Sequence, residues 1–220
     1  MSLVPRTLAS SIRLPTVRAQ ASIRTFSSAM TSQRPHVLVV GGAYAGLSAV
    51  NGLIHLSRGD PQKEGPRTPP NVARALRVKP HITVLDERDG FFHSVGAPLG
   101  QISKSFANEF WIQYEDIKKS SPLYEDVQFV KGTAVGLDTA SKILKYSAED
   151  SDYETKELAY DYLVLATGIR RRWPVVPEVL QKAQYTKQAE QLEHEISGCS
   201  RVVLVGGGIY SRLRVTHAEI

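Results

Sequence analysis

Two glycine-rich turns carry the chemistry that residue type and spacing can suggest by themselves. The first, GGAYAG at 41–46, follows the apolar run HVLVV and precedes LSAVNGLIHL, in which Leu47, Val50 and Ile54 recur at helical spacing. Strand, glycine turn and helix in that order form a pyrophosphate site. Gly41 permits the tight turn, Gly46 lets helix and strand pack closely, and the helix N-terminus presents amide N–H groups with a partial positive charge. Gly42 lies inside the turn, and the middle glycine position of G-x-G-x-x-G is Ala43, whose methyl restricts backbone approach to phosphates. An ordinary tight turn in an α/β sheet is the competing reading of so short a motif. The second turn, Gly206 to Gly208, follows the run RVVLV.

A third feature supports the nucleotide reading. In HITVLDERDGFF the apolar run Ile82 to Leu85 ends in Asp86 and Glu87. An acid at the tip of the second strand accepts hydrogen bonds from an adenosine ribose and repels a 2′-phosphate. Asp86 stands about 40 residues past Gly46, where the fingerprint expects about 20. Residues 57–79, polar and proline-rich, account for the difference as a surface insertion between helix and strand.

The elements needed to position these residues are legible around them. FANEFWIQYEDI (106–117) is expected to form a short helix, and VQFVKGTAVGLD (127–138) reads as strand, glycine, strand. KILKYS and KELAYDYLVLATG continue as short strands, the last an apolar run from Leu163 to Ala166 ending in Thr167 and Gly168. The fold class is therefore α/β.

Composition narrows the function. The 220 residues are 42% hydrophobic, enough for a substantial core, with a formal net charge of +5. Residues 1–26 hold Arg6, Arg13, Arg18 and Arg24 and no acid, and the first acid in the chain is Asp60. The basic excess is thus local, which argues against a nucleic-acid surface. The Ser- and Arg-rich start has the composition of a mitochondrial transit peptide, with cleavage expected after Phe26; a disordered basic tail is the alternative. No apolar run reaches the roughly 18 residues of a transmembrane helix, so any membrane contact is expected to be peripheral. The single cysteine, Cys199, excludes a disulfide framework, and the six histidines show no metal-ligand spacing. HExxH and GxSxG motifs are absent from the sequence. No catalytic acid, base or metal ligand is singled out.

In order along the chain, VVGGAYAG, LDERDGFF, FVKGTAVGLD, YDYLVLATG and RVVLVGGG resemble the motifs of two-dinucleotide-binding-domain flavoproteins, the pyridine nucleotide-disulfide oxidoreductase-like group. Within it they are most similar to the apoptosis-inducing-factor-like and ferroptosis-suppressor-like proteins. The resemblance covers about residues 36–208. It implies a Rossmann-like FAD-binding domain with a small antiparallel β insertion, followed by the first strand and turn of an NAD(P)-binding Rossmann domain. The FAD pyrophosphate would lie on Gly41, Gly42, Ala43 and Gly46, with the adenosine ribose on Asp86 and an adenine contact at the Ala134 backbone. Ala166, Thr167 and Gly168 would close against the flavin, and Gly206 and Gly208 would meet NADH or NADPH. The implied activity passes a hydride from NAD(P)H to flavin and then electrons to a quinone-like acceptor.

Departures from the pattern qualify this expectation. FFHSVGAPLGQIS stands where disulfide reductases carry a flavin-facing cysteine pair, so thiol chemistry is excluded. After Gly208, Ser211 occupies a family glycine position and Leu213 the usual place of a Glu. The expected organisation is a transit peptide and tail at 1–34, an FAD-binding domain at 35–175, and a linker with a truncated NAD(P)-binding domain at 176–220. The sequence reads as a C-terminally truncated form, and a non-catalytic splice product that at most binds FAD or a partner is the alternative function. A single-domain NAD-binding reductase fits less well, given the second glycine turn. RRRWPVVP (170–177) reads as a solvated linker, or alternatively as a phosphate- or lipid-binding patch.

Overall fold

The computed structural model describes residues 34–58, 78–100, 103–148, 155–171, 173, 176–201 and 203. The basic N-terminal segment, most of the insertion at 57–79 and the second glycine turn with Gly206, Gly208, Ser211 and Leu213 lie outside the described residues.

The first apolar run forms β1 (His36–Val40), the glycine turn leads into α1 (Tyr44–Arg58), and HITVLD forms β2 (His81–Asp86). A small unit follows: β3 (Gly90–Phe92), α2 (Ala97–Gly100), α3 (Lys104–Glu109), β4 (Trp111–Gln113) and α4 (Tyr114–Ser120). Then come β5 (Val127–Lys131), β6 (Thr133–Asp138), β7 (Ile143–Ser147), β8 (Thr155–Ala159), β9 (Tyr162–Leu165) and α5 (Lys182–Ser197). β5, β2, β1 and β9 form a parallel sheet in that order, with Val39 opposite both Val84 and Val164. β6, β7 and β8 form the small antiparallel sheet that the resemblance implies.

Alternation along β1 assigns each residue to one of two cores. Val37 and Val39 pack with Val50 and Ile54 of α1 and with Ile82 and Val84 of β2. Leu38 and Val40 point the other way, into a cluster with Leu85, Leu144, Tyr146 and Tyr160. A period of two on a strand covered on both faces yields this continuous apolar run. β9 differs: among the described residues it is an edge strand, and Tyr162 and Leu165 are exposed.

Residues 106–117 do not form the single short helix expected from their sequence. The helix stops at Glu109, Trp111 to Gln113 pair antiparallel with Gly90 to Phe92, and a new helix starts at Tyr114. Burial decides the break, since Trp111 is fully enclosed with Phe92, Ala107, Tyr185 and Ala189. The last two belong to α5, which packs its apolar side on this unit. The start of α5 is capped from far away in sequence. The amide of Lys182 donates to both oxygens of Asp89 at 3.2 Å, and the indole Nε1 of Trp111 donates to the same carboxylate at 2.6 Å.

Candidate functional site

The candidate site lies at the carboxyl ends of the parallel strands, where open α/β sheets place their ligands. Three backbone bonds join these ends. The Gly41 amide donates to the Leu85 carbonyl, that of Ala166 to the Val40 carbonyl and that of Gly132 to the Asp86 carbonyl, each at 2.8 Å. Gly41 has φ +103°, in the region that favours glycine, and a Cβ there would strike the Ala166 carbonyl. Gly46 sits so close beneath the turn that a Cβ would strike the Gly41 carbonyl oxygen. The glycine requirement read from the sequence therefore has a steric cause at both ends of the motif.

A cleft of about 550 Å³ opens from this turn. Gly41, Ala43, Asp86, Ala134, Ala166 and Thr167 all line it, so six of the residues picked out in sequence converge on one space. Ala43 marks the N-terminal end of α1, its carbonyl accepting the Leu47 amide at 2.9 Å. The first turn of α1 holds no acid, so the positive end of the helix dipole is uncompensated from within the helix. Three other predicted residues stand beside the cleft. Gly42 faces the Tyr114 hydroxyl, Gly46 supports Gly41, and Gly168 turns the chain with φ +68°.

Asp86 is held by the protein itself. Its Oδ2 accepts the Gly42 amide at 2.5 Å and its Oδ1 the Arg88 amide at 2.8 Å. The buried Tyr114 phenol adjoins the same carboxylate. Burial first, then the charge of Asp86 and a hydrogen bond to it, hold that phenol well above its ordinary pKa, so it is a donor at any physiological pH. Tyr114 in turn stacks on Phe129 of β5, ring centroids 4.6 Å apart.

Several cleft residues were not singled out by spacing. Arg88 reaches across to the Pro177 carbonyl at 3.3 Å, and Glu87 pairs with Arg170 at 2.7 Å. Arg170 and Arg171, both exposed, also line the cleft. Their position follows the turn at Gly168. In the segment replacing the cysteine pair, His93 Nδ1 lies 2.6 Å from the Tyr44 hydroxyl, and the one cysteine, Cys199, is exposed beyond α5. Among the described residues no group of His, Cys, Asp and Glu is placed to hold a metal, and no helix is long and apolar enough to cross a membrane.

Comparison with known proteins identifies the family. The sequence profile of the pyridine nucleotide-disulphide oxidoreductase family matches residues 35–211. The chain belongs to this family. It is 32% identical over 207 residues to oxidoreductase OXR1 of Ajellomyces capsulatus, a match covering 89% of this chain and 44% of that protein. It is 26% identical over 183 residues to ferroptosis suppressor protein 1 of Xenopus tropicalis, covering 83% of this chain and 40% of that one. The chain thus spans less than half the length of these relatives. Plasmodium falciparum NDH2, solved in complex with RYL-552, superposes with a TM-score of 0.50 at 12% identity, over 78% of this chain and 31% of the other, a likeness of fold alone. The family is one of FAD-dependent NAD(P)H oxidoreductases.

Proposed function

We propose that the cleft binds FAD and that the chain serves an NAD(P)H-dependent flavin oxidoreductase whose electrons pass to a quinone-like acceptor. The observation that carries this reading is the convergence of Gly41, Ala43, Asp86, Ala134, Ala166 and Thr167 on one cleft at the strand ends. The residues fit the group: Gly41 and Gly46 let β9, the turn and the start of α1 pack closely enough for the turn's backbone to face the cleft, and Arg88, Arg170 and Arg171 offer positive charge nearby. Gly41, Gly42, Ala43 and Gly46 would cradle the pyrophosphate at the start of α1. The β2 tip would take the adenosine ribose, the Ala134 backbone the adenine, and the Ala166–Gly168 turn would close the flavin side. When bound, the flavin supplies hydride acceptance and onward electron transfer, and the protein's part is to bind, orient and exclude water.

NADH or NADPH is the proposed reductant, with Gly206 and Gly208 as its assigned contacts, and the basic residues 1–26 support a mitochondrial address. The test is to purify the 220-residue chain, record its visible spectrum and identify any cofactor released on denaturation. Stoichiometric FAD is expected, and bleaching by NADH or NADPH separates an oxidoreductase from a flavin-binding chain. A colourless protein that takes up no FAD would refute the proposal.

A further inference from the structure

Gly42, the second residue of the glycine turn, is held by the protein at two atoms. Its amide donates to Asp86 Oδ2 at 2.5 Å, and the space that a Cβ would fill is occupied by the Tyr114 hydroxyl. The same hydroxyl hydrogen-bonds the Asp86 carboxylate, so phenol, carboxylate and turn close on one another. Tyr114 is fixed in its own right. It is 7% exposed, its ring stacks within 9° of parallel on Phe129 of β5, and its backbone amide donates to the Asp89 carbonyl at 3.1 Å. A side chain packed this closely transmits its position to the groups it touches. Nothing in the spacing of the glycine motif points to a residue of α4.

We propose that Tyr114 is a positioning residue for the phosphate-binding turn: its hydroxyl props Gly42 and clamps the carboxylate that receives the Gly42 amide, so the turn holds its binding conformation before a nucleotide arrives. This rests on the nucleotide reading of the cleft. A turn set in advance raises affinity, because the loop is ordered on folding rather than on binding. On this assignment Gly42 is a glycine because a tyrosine needs its space, whereas Gly41 is one because of its positive φ.

The test is calorimetric titration of the full chain with ADP, alongside thermal melting, in the wild type, Tyr114→Phe, Tyr124→Phe, Gly42→Ala and the Gly42→Ala, Tyr114→Phe double variant. Tyr114→Phe keeps the ring on Phe129 and leaves Asp86 with the Gly42 and Arg88 amides, so it is expected to fold. Loss of a hydrogen bond to a charged acceptor sets the scale, and ADP is expected to bind this variant roughly tenfold more weakly. Tyr124→Phe deletes a hydroxyl bond of its own, to Asn51 Oδ1 at 2.7 Å, and is expected to lower the melting temperature while keeping ADP affinity. Gly42→Ala is expected to weaken ADP binding more in the wild-type background than in Tyr114→Phe, where the nearest obstructing atom is gone. Unchanged ADP affinity in Tyr114→Phe, an equal loss in Tyr124→Phe, or Gly42 and Tyr114 losses that simply multiply overturn the assignment. A wild type that binds neither ADP nor FAD overturns the nucleotide reading of the cleft instead.

Discussion

The same substitution at two positions of α1 is expected to have opposite effects. Glycine to alanine in a helix interior normally stabilises by about 0.5–1 kcal/mol, because alanine loses less backbone freedom on folding. At Gly52 a new Cβ would meet nothing within 4 Å, so that gain should appear undiminished. At Gly46 the new Cβ would land on the Gly41 carbonyl oxygen, with Val39 Cγ1 3.4 Å away on the other side. The obstructing atom is backbone, held between β1 and β2 by the bond from the Gly41 amide to Leu85, so it cannot swing aside as a side chain would. Overpacking of this kind costs about 1–3 kcal/mol, which outweighs the helix gain. With a melting-temperature change of about 2–4 °C per kcal/mol for a chain of this size, Gly46→Ala should melt several degrees below the wild type and Gly52→Ala one or more degrees above it. Thermal unfolding of the two variants, followed by circular dichroism, checks this. FAD titration should show weaker binding for Gly46→Ala alone, since the displaced loop is the phosphate cradle. If Gly46→Ala melts at or above the wild-type temperature, or the two variants shift together, the steric account of the glycine motif is wrong.

Two further outcomes follow from the packing. Asp89→Ala removes the acceptor for Trp111 Nε1 and the cap on the Lys182 amide, leaving a buried indole N–H without its partner. A loss of about 1–3 kcal/mol is expected, with hydrogen exchange accelerated in α5 more than in β1 or β2. Equal acceleration everywhere would refute the local role. The third concerns pH. Burial first, then the charges of His36 and Arg34, hold the His81 pKa below its ordinary 6.5, with Asp126 opposing. The unfolded chain therefore takes up a proton on His81 at a higher pH than the folded chain. This contribution to stability is present above about pH 6.5 and is lost as pH falls through the lowered folded value. Melting temperatures from pH 7.5 down to 5.5 should fall more steeply for the wild type than for His81→Gln, and parallel profiles would refute the attribution.

Much of the site was legible in the sequence because its determinants are local. A glycine is demanded at 41 by a positive φ and at 46 by contact with the Gly41 carbonyl, five positions earlier in the same turn. Strands β1 and β2 follow from short β-branched runs, and α1 from the recurrence of Leu47, Val50 and Ile54. Asp86 is identified by its place at a strand tip. These features depend on neighbours within one βαβ unit, so reading along the chain recovers them.

The rest depended on partners remote in sequence. Trp111 ends a helix that local pattern would continue, because β3 offers it a strand partner and α5 encloses it. Arg170 reaches the cleft because Gly168 turns the chain toward Glu87, residues 83 positions apart. Asp86 and Glu87 are neighbours of like charge. Only the folded chain sets the Gly42 and Arg88 amides against one and leaves the other facing an exposed arginine. Within the first βαβ unit the sequence by itself determined which residues turn, extend or coil, since those choices are made there within a few residues. The tertiary structure decided which partners the polar side chains find, since hydrogen-bond partners are assigned only when distant segments meet.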